Sequence, residues 1–305
     1  MNRLQTRRSV HGILLLDKPR GLSSNTALQR VKRLFKAQKA GHTGNLDVPA
    51  TGLLPVCLGE ATKVTPYLLA ANKRYRARCK LGIRTTTGDA AGDIVERLPV
   101  PALSQRGVED VLARFTGMIE QVPPMHSALK HEGQRLYRLA ARGITVERAP
   151  RRVTVFELTC TGFTAEELEL DVVCSKGTYI RTLAEDIGTA LGTCAHVAML
   201  KRTGVEPFDI GEAWTLEQLV ARAELGADRL DSTLKPVDSA VAHLAALSFS
   251  ETTAYYLRNG QAVRVGTAPE RGAVRMYDEH QHFFGIGEAL ADGRVAPRRL
   301  INLVS

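Results

Sequence analysis

The 305-residue sequence predicts an α+β fold in which strands and helices mix, closed by a small β-rich module at the C-terminal end. Three observations predict it. Apolar and β-branched runs such as GILLL (12–16) and RRVTVFELTCTGF (151–163) read as strands. Between them, segments such as 24–35 place apolar residues at helical spacing. From about residue 246 the character changes to short alternating stretches, AVRMYDE and FFGIGEAL, separated by Gly and Asp-Gly turns, which suits a small β module.

Taken in order, HGILLLDKPRG reads as a short buried strand ending in a Pro-Gly turn. Ser23 or Ser24 can cap a helix carrying Leu28, Val31, Leu34 and Phe35, with Arg30, Lys32, Arg33 and Lys36 over its remaining surface. GHTGNLDVPATG (41–52) follows, with three glycines, one histidine and one carboxylate in twelve residues. GLLPVCLGEATKVTPYLLAANK is a strand and then a helix; RYRARCKLGIR alternates as a strand does; TTTGDAAGD is a turn-rich loop. Residues 107–120 read as a helix, stopped by Pro123-Pro124. In the basic stretch PPMHSALKHEGQRLYRLAARG a helix would put Leu136, Leu139 and Ala140 on one face and Arg135, Arg138 and Arg142 elsewhere. RRVTVFELTCTGF and ELELDVVCSKGTYIRTL are strands, the second running into a helix through Leu183 and Ile187, and LKPVDSAV (234–241) is a connector.

Hydrophobic residues make up 44% and charged residues 24%, which is ordinary for a globular protein. The net charge of +9 points to a polyanionic partner, nucleic acid first. The excess is concentrated: residues 1–39 hold ten Lys/Arg against Asp17, and residues 126–152 hold seven against Glu132 and Glu147. No apolar run approaches the ~20 residues that span a bilayer, and GILLL is too short for a signal-peptide core, so a cytoplasmic protein is expected. The five cysteines lack C-x-x-C spacing and read as reduced thiols in a packed interior. The histidine pairs His126/His131 and His280/His282 read as surface or RNA-facing side chains rather than metal ligands. Phosphate-loop, dinucleotide and serine-hydrolase motifs are absent from the sequence. Asp47, in the glycine-rich loop, reads on spacing alone as a turn residue more readily than as a reagent.

Six motifs supply the context for Asp47. GILLLDKPRGLSS, GHTGNLDVPATGLLPVCLGEATK, KRYRA, PPMHSALKHEGQRLYRLAARG, CSKGTYIRTLAEDIG and AHVAMLKRTGVEPF occur in this order. Together they resemble the TruB family of bacterial pseudouridine synthases, which modify uridine 55 in the TΨC loop of tRNA. VRMYDEHQHFFGIGEALADGRVAPRRLINL resembles the family's C-terminal PUA-type RNA-binding module.

The resemblance implies a mixed, mostly antiparallel central sheet flanked by helices. It implies a catalytic domain over 10–238, with an RNA-gripping insertion at about 124–152, and a PUA-like domain over 246–305. It implies isomerisation of uridine to pseudouridine, with base flipping and no metal or organic cofactor. Asp47 matches the indispensable carboxylate, Arg181 its partner, and Tyr75 the tyrosine that stacks on the base and helps remove the C5 proton. Tyr179 and Leu200 match residues lining the uracil pocket, and His42 the histidine filling the space left by the extruded base. Asp89 would help hold the rotated base, and Lys18 and Pro19 would support the site from beneath. Lys130, Arg135, Arg138, Arg142, Arg151 and Arg152 would bind RNA phosphates. The implied partner is tRNA, gripped at the T-stem–loop and on the acceptor-stem side, with a second role as a tRNA-folding chaperone. A membrane partner is not implied, and a monomer is expected.

Physically, a carboxylate suits this reaction. The sugar carbon becomes electron-poor as uracil detaches, so a carboxylate can attack C1′, stabilise charge there, or remove the C2′ proton to give a glycal. Family members read Asp-Pro after the loop leucine, whereas here Val48 separates Asp47 from Pro49. That shift bears on how Asp47 is presented. Two other readings compete: an RNA binder without catalysis, which has no need of the set Asp47, Tyr75 and Arg181, and a guide-RNA-dependent synthase, against which the long 124–152 insertion counts.

Overall fold

A computed structural model describes residues 7–266, 269 and 271–303. Residues 1–6 of the basic N-terminal segment, and residues 267, 268, 270, 304 and 305 of the expected C-terminal module, lie outside the described residues.

The chain runs β1 (Gly12–Lys18), α1 (Ser24–Leu34), β2 (Ala40–His42), β3 (Thr51–Leu58), α2 (Thr65–Ala70), β4 (Lys73–Leu81), β5 (Ile83–Thr85) and β6 (Ile94–Arg97). It continues through α3 (Gln105–Ala113), β7 (Gly117–Gln121), β8 (Lys130–His131), β9 (Gln134–Arg135), α4 (Leu136–Ala140), β10 (Arg151–Phe163), β11 (Glu167–Cys174), α5 (Ile180–Ala190) and β12 (Ala195–Val205). β13 (Phe208–Asp209), α6 (Leu216–Glu224) and α7 (Ala227–Asp231) complete the larger part. The C-terminal module is β14 (Ala245–Ser248), α8 (Glu251–Arg258), β15 (Val263–Arg264), β16 (Gly272–Tyr277), β17 (Phe283–Ala289) and β18 (Arg294–Leu300).

The main sheet has the order β1-β3-β12-β4-β11-β10-β7, with β2 beside β3 and β13 beside β12. Its pairs are antiparallel except for a two-residue parallel contact between β12 and β3. One face buries two helical layers. α1, α6 and α7 cover Leu14, Leu16, Leu54 and Val56, while α3 and α5 cover Ala77, Cys79, Leu168 and Leu170. On the other face, Ile13, Leu15, Leu53 and Cys57 pack with α2 and with Phe283, Ile286 and Ile301 of the C-terminal module. That module also has its own core around Phe249, Leu257, Met276 and Phe284. Lys63 Nζ donates to the Leu300 carbonyl and the Asn302 amide donates to Glu60, so polar contacts also join the module to the body.

Two expected helices are corrected. The helix of 107–120 ends at Ala113 with Arg114 as its C-cap, and 117–121 is the edge strand β7. Gly117, at φ 94°, turns the chain into it, and the alternation of outward Met118 and Glu120 is a strand pattern. The basic stretch is mostly not helical. Glu132 and Gly133, at φ 48° and 82°, form the tight turn of the β8–β9 hairpin, as the twist of a two-residue hairpin requires. Only α4 is helical there; it buries Leu136 and Leu139 as expected. Arg151 and Arg152 begin β10.

Candidate active site

Ser23 caps α1, its Oγ accepting the Thr26 amide at 3.0 Å. Ser24 does different work. Its Oγ accepts the Leu46 amide at 2.8 Å and donates to the Leu46 carbonyl at 3.0 Å, pinning the glycine-rich loop to the helix. Asp47 is the next residue. A turn closed by the Ala50 amide on the Asp47 carbonyl (3.1 Å) and a contact from the Gly21 amide to the Val48 carbonyl (2.9 Å) hold it. Both contacts accommodate Pro49, which needs no amide donor, and Asp47 still faces Arg181.

Arg181 lies in the first turn of α5, where the helix dipole disfavours a cation. Its acceptors offset this. Nε meets Asp47 Oδ2 at 3.0 Å, Nη1 donates to the Thr87 carbonyl at 2.7 Å, and Nη2 donates to the His126 carbonyl at 2.7 Å. Each nitrogen of the fork thereby has an acceptor, while the Asp47 side chain keeps 42% of its surface exposed. Burial raises the Asp47 pKa; Arg181 opposes the rise, Asp89 adds to it, and Lys18 and His126 oppose it. Asp47 is thus a stronger base than a free carboxylate, paired but not neutralised.

Around this pair is an open cleft of about 690 Å³. Tyr75, Tyr179 and Leu200 line it with Asp47 and Arg181. Tyr75 points inward from β4, and burial pushes its phenol up while Arg202 acts in the opposite direction. The buried Gln121 grips Tyr179 twice, accepting its amide at 3.0 Å and donating to its carbonyl at 3.3 Å. Asp89 sits behind Arg181, its Oδ2 3.9 Å from Nη1, while its Oδ1 accepts from Thr87 Oγ1 and the Ala91 amide. It lines a small recess under Asp47 rather than the main cleft. Lys18 is fully buried below the loop and donates to the Pro19 and Leu22 carbonyls; burial first, with Arg202, pushes its pKa down to about 8 against the pull of Asp47. His42 is on β2 and is not among the residues lining the cleft. Its Nδ1 has no hydrogen-bond partner among the described residues, and burial, then Arg202, lowers its pKa.

The six basic residues expected on RNA are all exposed. Two are also engaged within the chain: Arg135 donates to the Ala128 carbonyl at 2.7 Å, and Arg152 lies 3.6 Å from Glu120. Ser24, Gln121, His126 and Arg202 build the site; the sequence offered Ser24 only as a helix cap and His126 only as a surface or RNA-facing side chain, and did not single out Gln121 or Arg202. Arg202 follows Lys201 in a strand that also carries His196, so charge alone did not set it apart. A bulge between Val197 and Met199 shifts the alternation of β12, so that Leu200 and Arg202 turn inward. Among the described residues, no group of three His, Cys, Asp or Glu is placed to hold a metal ion, and no helix is long and apolar enough to cross a membrane.

The fold matches a chain in the crystal structure of a Cbf5–Nop10–Gar1 complex, with a TM-score of 0.73 and 25% identity over 97% of this chain and 84% of that one. Residues 32–180 match the model for the N-terminal domain of TruB family pseudouridylate synthases. Residues 181–242 match the tRNA pseudouridylate synthase B C-terminal domain, and residues 245–301 the C-terminal model of pseudouridine synthase II TruB. Two curated relatives are both called tRNA pseudouridine synthase B. That of Nitrosococcus oceani is 54% identical over 96% of this chain and 95% of its own length, and that of Stutzerimonas stutzeri 53% over 97% of each. Fold, cleft and relatives define the class as a pseudouridine synthase. The chain belongs to the TruB family of these enzymes.

Proposed function

We propose that the protein isomerises uridine 55 in the TΨC loop of tRNA to pseudouridine, with Asp47 as the reacting carboxylate. The observation that carries this reading is the Asp47–Arg181 pair, 3.0 Å apart and open to a cleft that Tyr75, Tyr179 and Leu200 also line. The names of the curated relatives favour tRNA as the substrate. The uridine must leave its stack to reach the pair, at a cost of about a few kcal/mol.

In the glycal route Asp47 acts as a base. Asp47 takes the C2′ proton, the C1′–N1 bond breaks, and uracil leaves with its electron pair on N1. The base turns, C5 adds to C1′, and Asp47 returns the proton to C2′. C5 then gives up its proton and N1 gains one, so the overall change is an isomerisation. Tyr75 stacks on the base and helps remove the C5 proton, its phenol oxygen taking that proton as it passes its own O–H proton on through solvent to N1; Tyr179 and Leu200 confine the ring, and Asp89, behind Arg181, helps hold the rotated base. Lys18 and Pro19 support the loop, and His42 enters the space vacated by the flipped base when the RNA is bound.

The catalytic domain would comprise 10–238 and the RNA-binding module 246–305. Lys130, Arg138, Arg142 and Arg151 would contact phosphates directly, with Arg135 and Arg152 dividing their charge between RNA and chain. The module would hold the acceptor-stem side, and the grip would also assist tRNA folding. The 124–152 segment favours direct gripping of tRNA over guidance by a second RNA.

The test uses tRNA tritiated at uridine C5. Stoichiometric enzyme should release tritium, and Asp47→Asn should abolish release while leaving tRNA affinity within about threefold. No release by the wild-type protein defeats the enzyme reading for this substrate, and release by Asp47→Asn defeats the role of Asp47.

A further inference from the structure

Among the described residues Arg202 is the largest fully buried side chain, with 1% of its surface exposed. A buried guanidinium is costly unless its donors are satisfied. Among the described residues no carboxylate forms an ion pair with it; three backbone carbonyls accept from it, and the Tyr75 phenol is also within its reach. Nε donates to Leu53 at 2.7 Å, Nη1 to Asn45 at 3.4 Å and Nη2 to Gly44 at 3.3 Å. These carbonyls flank Asp47 on both sides, so one side chain ties the beginning of the loop to its end.

The backbone of Arg202 is equally constrained. It pairs in parallel with Gly52, which sits at φ 103°, and a Cβ at that glycine would stand 2.2 Å from the Arg202 carbonyl oxygen. On its other side Arg202 is the cross-strand partner of Tyr75. Arg202 therefore stands between the Asp47 loop and the phenol, and it also lines the cleft. Burial is the main cause of the lowered pKa values of Lys18, His42 and Lys73 and of the raised one of Tyr75; the charge of Arg202 adds to the first three and opposes the last.

We propose that Arg202 is a positioning residue for the isomerisation, its fork holding both ends of the Asp47 loop in register with Tyr75. The proposal rests on the roles assigned above to Asp47 and Tyr75. A lysine at 202 keeps the charge and loses the fork; a methionine loses both.

The experiment measures the single-turnover rate of pseudouridine formation, tRNA affinity and melting temperature for Arg202→Lys and Arg202→Met. Misplacing a reacting group by about 1 Å costs on the order of a hundredfold. Arg202→Lys should be slower by about tenfold and Arg202→Met by about a hundredfold or more, both with affinity within about threefold. A wild-type rate for Arg202→Lys overturns the proposal, as does a loss confined to affinity, or equal rates for the two variants. Should Arg202→Met fail to fold, Arg202→Lys decides alone: slowed chemistry at unchanged melting temperature supports the role, and a rate loss that vanishes on cooling, as a merely less stable protein would show, overturns it. Asp47→Asn is run alongside. If that variant still forms product, the underlying reading of Asp47 fails, whatever the Arg202 variants do.

Discussion

At the scale of single residues, the site is an electrostatic balance around Asp47. Desolvation raises its pKa above the ordinary 3.8, Arg181 pulls it down, and Asp89 pushes it up again. A base works only when unprotonated, so the rate should fall as pH drops through this raised value. Arg181→Met removes the main opposing charge and should move the acidic limb of the rate profile to higher pH. Asp89→Asn removes the charge behind Arg181 and should move it to lower pH. Single-turnover rates across pH check both signs; a limb that stays put in both variants would mean that Asp47 is not the titrating group. Tyr75→Phe keeps the stacking face and loses the phenol, so affinity should survive while chemistry slows by about 10²-fold or more. That Asp47, Arg181 and Tyr75 share one cleft was legible from six ordered motifs taken together, although Asp47 on its own spacing read as a turn residue. Arg202 and Gln121 were not legible, because their roles come from pairings with Gly52, Tyr75 and Tyr179 that are distant along the chain.

At the scale of elements, the geometry depends on how α5 meets β12. Gly188 faces Ala195 across this contact, and an added Cβ would lie 2.7 Å from the Ala195 Cβ and 2.8 Å from its amide nitrogen. Gly188→Ala should therefore push the helix that carries Arg181 away from the sheet. Overpacking of this kind costs about 1–3 kcal/mol. Chemical denaturation should show that loss, and the rate should fall further than stability alone explains, because Arg181 moves relative to Asp47. A variant with wild-type stability would mean that the contact relaxes without strain. Several elements were readable from periodicity: β1, α1, β4, β10, β11 and α5 stand where apolar spacing put them. The failures share a cause. Residues 117–121 and 130–135 are short strands whose turns depend on positive φ at Gly117, Glu132 and Gly133, and a helical spacing of a few leucines conceals such turns.

At the scale of the molecule, charge and shape act together. The +9 net charge was legible from composition, but its arrangement needed the fold. The chain around β8, β9 and α4 carries Lys130, Arg135, Arg138 and Arg142, all exposed, and the adjoining segment reaches the site through His126, whose carbonyl holds Arg181. Cations that neutralise phosphates release counterions, so each contact contributes about 0.7–0.9 to the slope of log affinity against log salt. Arg135 is a poor first choice for substitution, because its guanidinium also holds the Ala128 carbonyl and its loss would loosen the hairpin. Arg138 and Arg142 form no ion pair among the described residues, so their removal reports on RNA more cleanly. Arg138→Ala with Arg142→Ala should lower the slope by about 1.4–1.8 and weaken tRNA binding, while the single-turnover rate at saturating enzyme stays within about threefold. An unchanged slope would remove these two arginines from the interface. A lower slope together with a slowed saturated rate would give the segment a second part, in which RNA held by the basic face also sets the His126 carbonyl that fixes Arg181.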